Sequence, residues 1–183
     1  MDTKRRDIGE HSCFPPISSG EAIILLLGSF PGEMSLAQGR YYAHPRNAFW
    51  PIIGALLGFE PSEPYSVRIE RLKKNRIALW DVLSSCRRKG SLDTSIDRES
   101  MLINDFDRFF NIHQRIRYVM FNGRRAEIEF RRHALTIESI RERNLELHSL
   151  PSTSPAMARL TLDQKIAQWR CISTILSASP PPK

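Results

Sequence analysis

The sequence predicts an α/β fold, a three-layer α/β/α sandwich around a central parallel sheet of about four strands. The prediction depends on four apolar runs in which polar and apolar residues do not alternate, because such continuous runs are typical of strands buried on both faces of a sheet. Helical stretches separate the runs, as the crossovers of a parallel sheet require. In chain order the runs are AIILLLG at 22–28, RIALWDVL at 76–83, IRYVMFNG at 116–123 and LELHSLP at 145–151.

The segments between and after these runs predict helices over 47–59, 64–75, 99–112, 124–135 and 160–176. Thr161, followed by Gln164, is a typical start for the last of them. We expect one domain over residues 21–178, because this is the part with periodic and apolar segments. Residues 1–20 are expected to be loosely ordered, and the proline-rich tail at 179–183 to be disordered.

The charge of the chain favours a polyanionic partner. Lys and Arg number 27 against 20 for Asp and Glu, which gives a formal net charge of +7. Clustered cations bind phosphates by releasing counterions, so nucleic acid is the first expectation. A merely basic, soluble surface is the alternative.

Cysteine spacing and hydropathy argue against several other classes. Cys13, Cys86 and Cys171 are odd in number and match no metal-binding spacing, so we expect neither a disulfide framework nor a metal cluster. The N-terminal segment lacks the apolar core of a signal peptide, and no apolar run approaches the length of a membrane span. We therefore expect a cytoplasmic protein without membrane contact, and a monomer.

Ligands of parallel sheets bind beyond the carboxyl ends of the strands, so the residues after each run are the candidates for a site. The first run is followed by GSFPGEMS, which matches no dinucleotide or P-loop pattern and has no nucleophile elbow around Ser29. Asp81 lies inside the second apolar run. A carboxylate there must be capped, ion-paired or facing a ligand.

The third and fourth runs are followed by residues suited to phosphate. Arg124 and Arg125 follow Gly123 at the start of a predicted helix, where a cation opposes the helix dipole, so a phosphate contact is favoured and a solvated position is the alternative. The fourth run is followed by LPSTSPAMAR, whose hydroxyl groups between two prolines suit phosphate or sugar contacts.

Taken together, the segments CFPPI, GSFPGEMS, YYAHPRNAFW and LPSTSPA resemble those of the uracil-DNA glycosylase superfamily, and most of all its hypoxanthine (deoxyinosine) DNA glycosylase branch. The resemblance covers roughly residues 13 to 170. It implies a glycosylase-like domain that flips a deaminated base out of DNA and hydrolyses its N-glycosidic bond, with no metal or cofactor. DNA containing such a base would then be the partner.

The resemblance also implies roles for residues in the first two motifs. The superfamily's usual water-positioning residue corresponds to Phe30, which cannot hold water. In the hypoxanthine branch the asparagine of HPRN takes over, and here that residue is Asn47, whose alternative role is to cap the following helix. Gly28, Ser29 and Phe30 would line the base pocket. The flipped base would stack on Phe49, with the neighbouring tryptophan in the core.

The remaining implied roles concern the edge of the base and the DNA backbone. Asp81 would accept a hydrogen bond from N1–H of hypoxanthine, which favours a purine over uracil. Ser152 would donate to the leaving base, and Ser154 would meet a phosphate. Met157 would enter the gap left by the base, with core filling as its alternative. The other expected DNA contacts are Ser35, His44, Gly123, Arg124, Arg125 and Arg159, with a structural histidine as the alternative for His44.

Three other functions stay open at this point. The first is a glycosylase for uracil or for G:T and G:U mismatches. The second is a non-catalytic nucleic-acid-binding module of the same fold, which the apolar Phe30 favours. A small-molecule esterase using Ser152 or Ser154 with His44 is the third, although no triad order supports it.

Overall fold

A computed structural model describes residues 10–87 and 96–179 of the chain. Its centre is a parallel sheet of four strands, and all four strands predicted from the apolar runs are present. In spatial order they are β3 (Ile77–Asp81), β2 (Ile24–Gly28), β6 (Tyr118–Asn122) and β7 (Glu146–Leu150).

Both faces of this sheet are covered, which explains why the central strands are apolar throughout. All residues of β2 and β3 are buried. Ile24 and Leu26 point into one core cluster, while Leu25 and Leu27 point into a second cluster on the other face. The predicted three-layer α/β/α arrangement is therefore confirmed.

The helices mostly follow the predicted order, with two differences in extent. The third predicted helix begins at Phe106 rather than near residue 99, because Asp105 caps it by accepting the Arg108 N–H at 3.0 Å. The last predicted helix is divided at Arg170 into two. The helices are α1 (Glu33–Gln38), α2 (Phe49–Leu57), α3 (Tyr65–Lys74), α4 (Phe106–Ile112), α5 (Arg124–Glu129), α6 (Glu138–Arg141), α7 (Leu162–Trp169) and α8 (Cys171–Ala178), and a π-helical turn, Phe130–Ala134, extends α5.

A small antiparallel sheet was not predicted. It consists of β1 (Glu10–Ser12), β4 (Leu83–Arg87) and β5 (Leu102–Ile103), with β4 in the middle. Part of the segment expected to be loosely ordered is thus held in place, since β1 pairs with β4 and Ile17 forms a bridge with Leu79. Residues 1–9 and 180–183, and with them most of the expected disordered tail, lie outside the described residues.

The topology fixes where a ligand can bind. The chain leaves β2 toward β3 on one side of the sheet and leaves β6 toward β7 on the other, so the direction of the connections reverses between β2 and β6. The loops that follow these two strands therefore diverge and leave a crevice at the carboxyl ends.

Candidate active site

A cavity of about 240 Å³ occupies this crevice. Residues at or just after the carboxyl ends of all four parallel strands line it, together with residues of the loop before α2. Nine of the residues predicted from the sequence line this cavity: Gly28, Ser29, Phe30, Ser35, His44, Asn47, Asp81, Ser152 and Ser154. The other six, namely Phe49, Gly123, Arg124, Arg125, Met157 and Arg159, do not.

The buried carboxylate of Asp81 lies against the backbone of Gly28, its partner in the strand register. A Cβ atom at residue 28 would be 2.3 Å from Asp81 Oδ1 and 2.9 Å from Tyr42 Oη, so only glycine fits there. Asn104 Nδ2 donates to the Asp81 carbonyl at 2.8 Å and fixes the end of the strand. The cavity thus has one carboxylate and one phenolic hydroxyl close together on its wall.

Phe49 does not form the stacking surface expected for a base. It is 0% exposed, and the Tyr42 ring stacks on it with 3.9 Å between centroids and 17° between planes. The rings of Trp50 and Trp169 meet it edge to face, so no face remains for a ligand. Tyr42 lines the cavity instead, and its φ of 53° is a strained backbone conformation of the kind found at binding sites.

Asn47 lines the cavity and also stabilises the start of α2. Its Oδ1 accepts the N–H of Phe49, the first residue of α2, at 3.0 Å, so Asn47 caps the helix from one position before the N-cap residue, Ala48. Because this bond uses only one lone pair of the oxygen, the second lone pair and the two N–H groups of Nδ2 remain for a ligand or a water molecule. The two interpretations of Asn47 are therefore compatible.

The loop after β7 is held to the neighbouring strand by a pair of hydrogen bonds. Asn122 Oδ1 accepts the Thr153 N–H at 2.8 Å, and Asn122 Nδ2 donates to Thr153 Oγ1 at 2.9 Å. The Thr153 carbonyl in turn accepts the Ala48 N–H at 3.0 Å. These contacts connect β6 with the loop after β7 (residues 152–156, called the serine loop below) and with Ala48, the residue after Asn47. No pattern in the sequence indicates them.

The two serines of this loop line the cavity and also brace the loop. Ser152 Oγ accepts the Ser154 N–H at 3.2 Å, and Ser154 Oγ accepts the Ala156 N–H at 3.3 Å. Gly123 packs against this loop, since a Cβ there would be 2.9 Å from the Ser152 Cβ, and its φ of 96° also requires glycine. Gly123 therefore supports Ser152 and is not placed as a direct contact to DNA.

Ser35 and His44 also line the cavity. Ser35 is buried, and its Oγ accepts the Ala43 N–H at 3.2 Å, so it supports the loop rather than an outer DNA-binding surface. His44 Nδ1 accepts the Arg46 N–H at 3.1 Å. In the neutral imidazole the proton is consequently on Nε2, which makes that atom a donor.

Arg124 and Arg125 have different environments, although they are neighbours at the start of α5. Arg124 is exposed. Arg125 Nε lies 2.8 Å from Glu129 Oε1, and the carboxylate of Glu129 is buried. The expectation that Arg125 contacts DNA does not fit this placement, because its charge compensates a buried acid.

The segment after the serine loop reaches outward. Met157 is 38% exposed, which argues against the core-filling alternative, and Arg159 is exposed as well. The carbonyl of Met157 accepts a hydrogen bond from Lys165 Nζ at 3.0 Å. This contact holds the segment in place. It requires the Lys165 ammonium group to be partly removed from water, and this burial lowers the pKa of Lys165.

Within residues 10–87 and 96–179, no three His, Cys, Asp or Glu side chains group as ligands of a metal ion would. None of the helices in these ranges is long and apolar enough to cross a membrane.

Fold and cavity together define a class: an α/β protein with a pocket lined by polar and aromatic side chains at the switch point of its sheet, in a basic chain. Residues 15–172 match the family model of the Uracil DNA glycosylase superfamily. The chain therefore belongs to that superfamily, and the resemblance inferred from its motifs is confirmed.

Individual relatives agree with this assignment. The chain is 34% identical over 161 residues to a hypoxanthine DNA glycosylase of Methanosarcina acetivorans, which covers 87% of this chain and 95% of the relative. It is 40% identical over 114 residues to a hypoxanthine DNA glycosylase of Methanosarcina barkeri, covering 62% and 71%. A solution NMR structure of a Methanosarcina acetivorans protein proposed to be a uracil DNA glycosylase superimposes with a TM-score of 0.77 at 32% identity, covering 92% of this chain and 99% of the other.

Proposed function

We propose that the protein is a monofunctional DNA glycosylase that flips a deaminated base, hypoxanthine, out of DNA and hydrolyses its N-glycosidic bond to leave an abasic site. The observation that carries the proposal is the convergence of Asn47, Asp81 and the serine loop on one cavity. The similarity to two hypoxanthine DNA glycosylases supports the choice of base. DNA containing the damaged base would be its partner, in the cytoplasm, with the protein acting as a monomer.

In this proposal the cavity holds the extruded base between apolar and polar walls. Phe30 and Tyr42 supply ring surfaces, and stacking on such a surface is worth roughly 1–3 kcal/mol per base. The Asp81 carboxylate accepts a hydrogen bond from N1–H of hypoxanthine. Ser152 donates to the base as it departs. Met157 and Arg159, exposed beside the cavity, would occupy the gap in the duplex and contact its backbone.

The reaction needs a positioned water more than a strong base. As the C1′–N9 bond breaks, its electron pair leaves with the base, and the sugar becomes oxocarbenium-like. The oxygen of a water molecule then bonds to C1′, and its proton passes to solvent while the departing base acquires one. Asn47 would hold this water through its Nδ2 hydrogens and the remaining lone pair of Oδ1. Nothing in this sequence of steps requires the side chain to take up a proton.

The test separates catalysis by Asn47 from its capping role. Labelled duplexes containing inosine, uracil or a G·T mismatch are incubated with the protein, and abasic sites are cleaved with alkali and counted. Asn47→Ala loses both the cap and the amide, whereas Asn47→Ser keeps a side-chain oxygen for the Phe49 N–H. We expect both variants to lose about a hundredfold or more in rate on inosine, and only Asn47→Ala to unfold at a lower urea concentration.

Each other outcome points to a definite alternative. An Asn47→Ser protein with the wild-type rate would show that the residue acts only as a cap. Cleavage of uracil or mismatched thymine alone would assign the protein to the uracil or mismatch glycosylases. Binding of all three duplexes without any cleavage would identify a non-catalytic module, the function that Phe30 on the cavity wall favours.

A further inference from the structure

A second cavity, of about 200 Å³, lies next to the candidate base pocket. The two cavities share Tyr41, Tyr42, His44 and Asn47, so only the loop before α2 separates them. The second cavity opens toward α3 and contains no residue of the serine loop. Its composition is different from that of the base pocket, and no step of the proposed reaction uses it.

Two arginines packed on the aromatic rings of Trp50 and Tyr65 form part of the walls of this second cavity. The Arg68 guanidinium lies over the Trp50 ring, 4.6 Å from its centroid, and 5.6 Å from the centroid of Tyr65. Arg40 lies over the Tyr65 ring at 5.7 Å. The rings are themselves fixed, because Trp50 Nε1 donates to the Tyr41 carbonyl at 3.1 Å and Tyr65 Oη accepts the Tyr41 N–H at 2.9 Å. Stacking of this kind holds each guanidinium in one orientation.

The two guanidinium groups of this cavity have no acidic partner in the described part of the chain. Among the residues that the structure describes, neither Arg40 nor Arg68 has a carboxylate within ion-pair distance, and the buried Nε of Arg68 has no hydrogen-bond partner. The nearby Glu63 is paired with Arg71 at 3.4 Å. Burial lowers the pKa of Arg68; the adjacent Tyr65 opposes this shift, and the charge of Arg40 adds to it. Both guanidinium groups lie over the Tyr65 ring, 5.7 and 5.6 Å from its centroid, and two cations that contact one ring without an acidic partner favour an anion bound by both.

We propose that this Arg40–Arg68 cleft binds a phosphodiester group of the damaged strand, beside the nucleotide whose base enters the pocket. The inference rests on the proposed function, since it takes the ligand of the adjoining cavity to be a nucleotide in DNA. Guanidinium groups bind phosphate oxygens through paired hydrogen bonds, and the aromatic walls reduce competition from water. The shared loop then contacts the base on one side and the backbone on the other. Binding of the phosphate would also help to hold the nucleotide in its extruded position.

The experiment measures binding and its salt dependence for Arg40→Gln and Arg68→Gln, with Arg117→Gln as the control. Arg117 is also an exposed arginine, but it precedes β6 and lies at the opposite end of the sheet from the cavity. Fluorescently labelled duplexes with and without inosine are titrated at several salt concentrations. We expect each cleft variant to weaken binding roughly tenfold. The slope of log Kd against log salt should fall by about 0.9 for each lost phosphate contact.

The outcomes separate this inference from the proposed function. Cleft variants that bind DNA with the affinity and salt slope of Arg117→Gln would overturn the phosphate site, even if the wild-type protein cleaves inosine DNA. A wild-type protein that cleaves no duplex, while the cleft variants still lose salt dependence, would overturn the glycosylase function and leave the anion site standing. Because Arg68 packs on Trp50, Arg68→Gln could unfold the protein; exposed Arg40 then carries the test alone.

Discussion

Replacing Asn122 by alanine is expected to reduce both stability and catalytic rate, because one side chain holds the serine loop to the sheet. The substitution removes both hydrogen bonds to Thr153, at 2.8 and 2.9 Å. Thr153 is 1% exposed, so water cannot easily replace these partners. Two lost bonds and an unpaired buried N–H correspond to a loss of about 2–4 kcal/mol in the free energy of unfolding.

We expect the loss in catalytic rate because Thr153 also contacts the residue next to Asn47. The Thr153 carbonyl accepts the Ala48 N–H at 3.0 Å, and Ala48 is bonded to Asn47. A shift of about 1 Å at the reacting groups costs about a hundredfold in rate, so we expect Asn122→Ala to reduce the single-turnover rate on inosine DNA by that order. Its affinity for undamaged DNA should change little, because Asn122 lies inside the cavity rather than on the outer surface.

Thr153→Val provides the matched comparison. It removes only the hydroxyl and leaves the Thr153 N–H bonded, so a loss of about 1 kcal/mol is expected. The double variant should lose about 1 kcal/mol less than the sum of the single losses, because the two groups interact directly. Urea unfolding followed by tryptophan fluorescence measures all three. An Asn122→Ala protein within about 0.5 kcal/mol of the wild type, with its full cleavage rate, would refute the reasoning.

Two further predictions concern the floor of the cavity and the dependence on pH. Gly28→Ala should abolish cleavage, since the new methyl group would clash with the Asp81 carboxylate. Gly20→Ala is the control: it has nothing within 4 Å of its Cβ position and should behave as the wild type. Equal activity of the two variants would contradict the geometry. Hydrogen bonds from Ser149 and Arg131 lower the pKa of Glu127 below 4.5 in the folded protein. The ionised Glu127 side chain therefore stabilises the fold above pH 4.5, and this stabilisation is lost as the pH falls through the lowered pKa. Urea unfolding at a series of pH values measures the difference in unfolding free energy between wild type and Glu127→Gln, and this difference should decrease as the pH is lowered. A difference that does not vary with pH would rule out the stabilising role of the ionised Glu127.

The sheet could be predicted because strands that are buried on both faces must be apolar at nearly every position. The strands β2 and β3 are apolar at every position but their last, and continuous apolar runs of this length are typical of a central parallel sheet. The small sheet has no comparable pattern. Only Val82 separates β3 from β4, so the predicted run at 76–83 contains all of β3 and the first residue of β4, and β5 has just two residues. Its pairing depends on tertiary contacts, which local patterns do not encode.

The candidate site was only partly predictable for a similar reason. Sequence order brought Asn47, Asp81 and Ser152 to one edge of the sheet, but it could not say which aromatic ring faces the cavity. Tyr42 has a positive φ and belongs to neither a helix nor a strand, so no periodicity applies to it. The ion pair of Arg125 could have been predicted from the sequence, because Glu129 lies four residues later on the same helix face.

The hydrogen bonds that hold the loops also determine what the cavity can recognise. Five short polar side chains on its wall each accept a backbone N–H: Ser35, Asn47, Asn122, Ser152 and Ser154. What they mainly retain for a ligand are O–H and N–H donors, whereas the Asp81 carboxylate is an acceptor.

A cavity rich in donors around one acceptor fits a ring with several acceptors and one N–H, which describes hypoxanthine with N3, N7, O6 and N1–H. Adenine presents an unprotonated N1 at the same place, so its lone pair would face the carboxylate without a proton between them. On the proposed function, deamination itself creates the group that Asp81 binds. Selection against adenine, the base from which hypoxanthine arises, then follows from the electrostatics of a single contact.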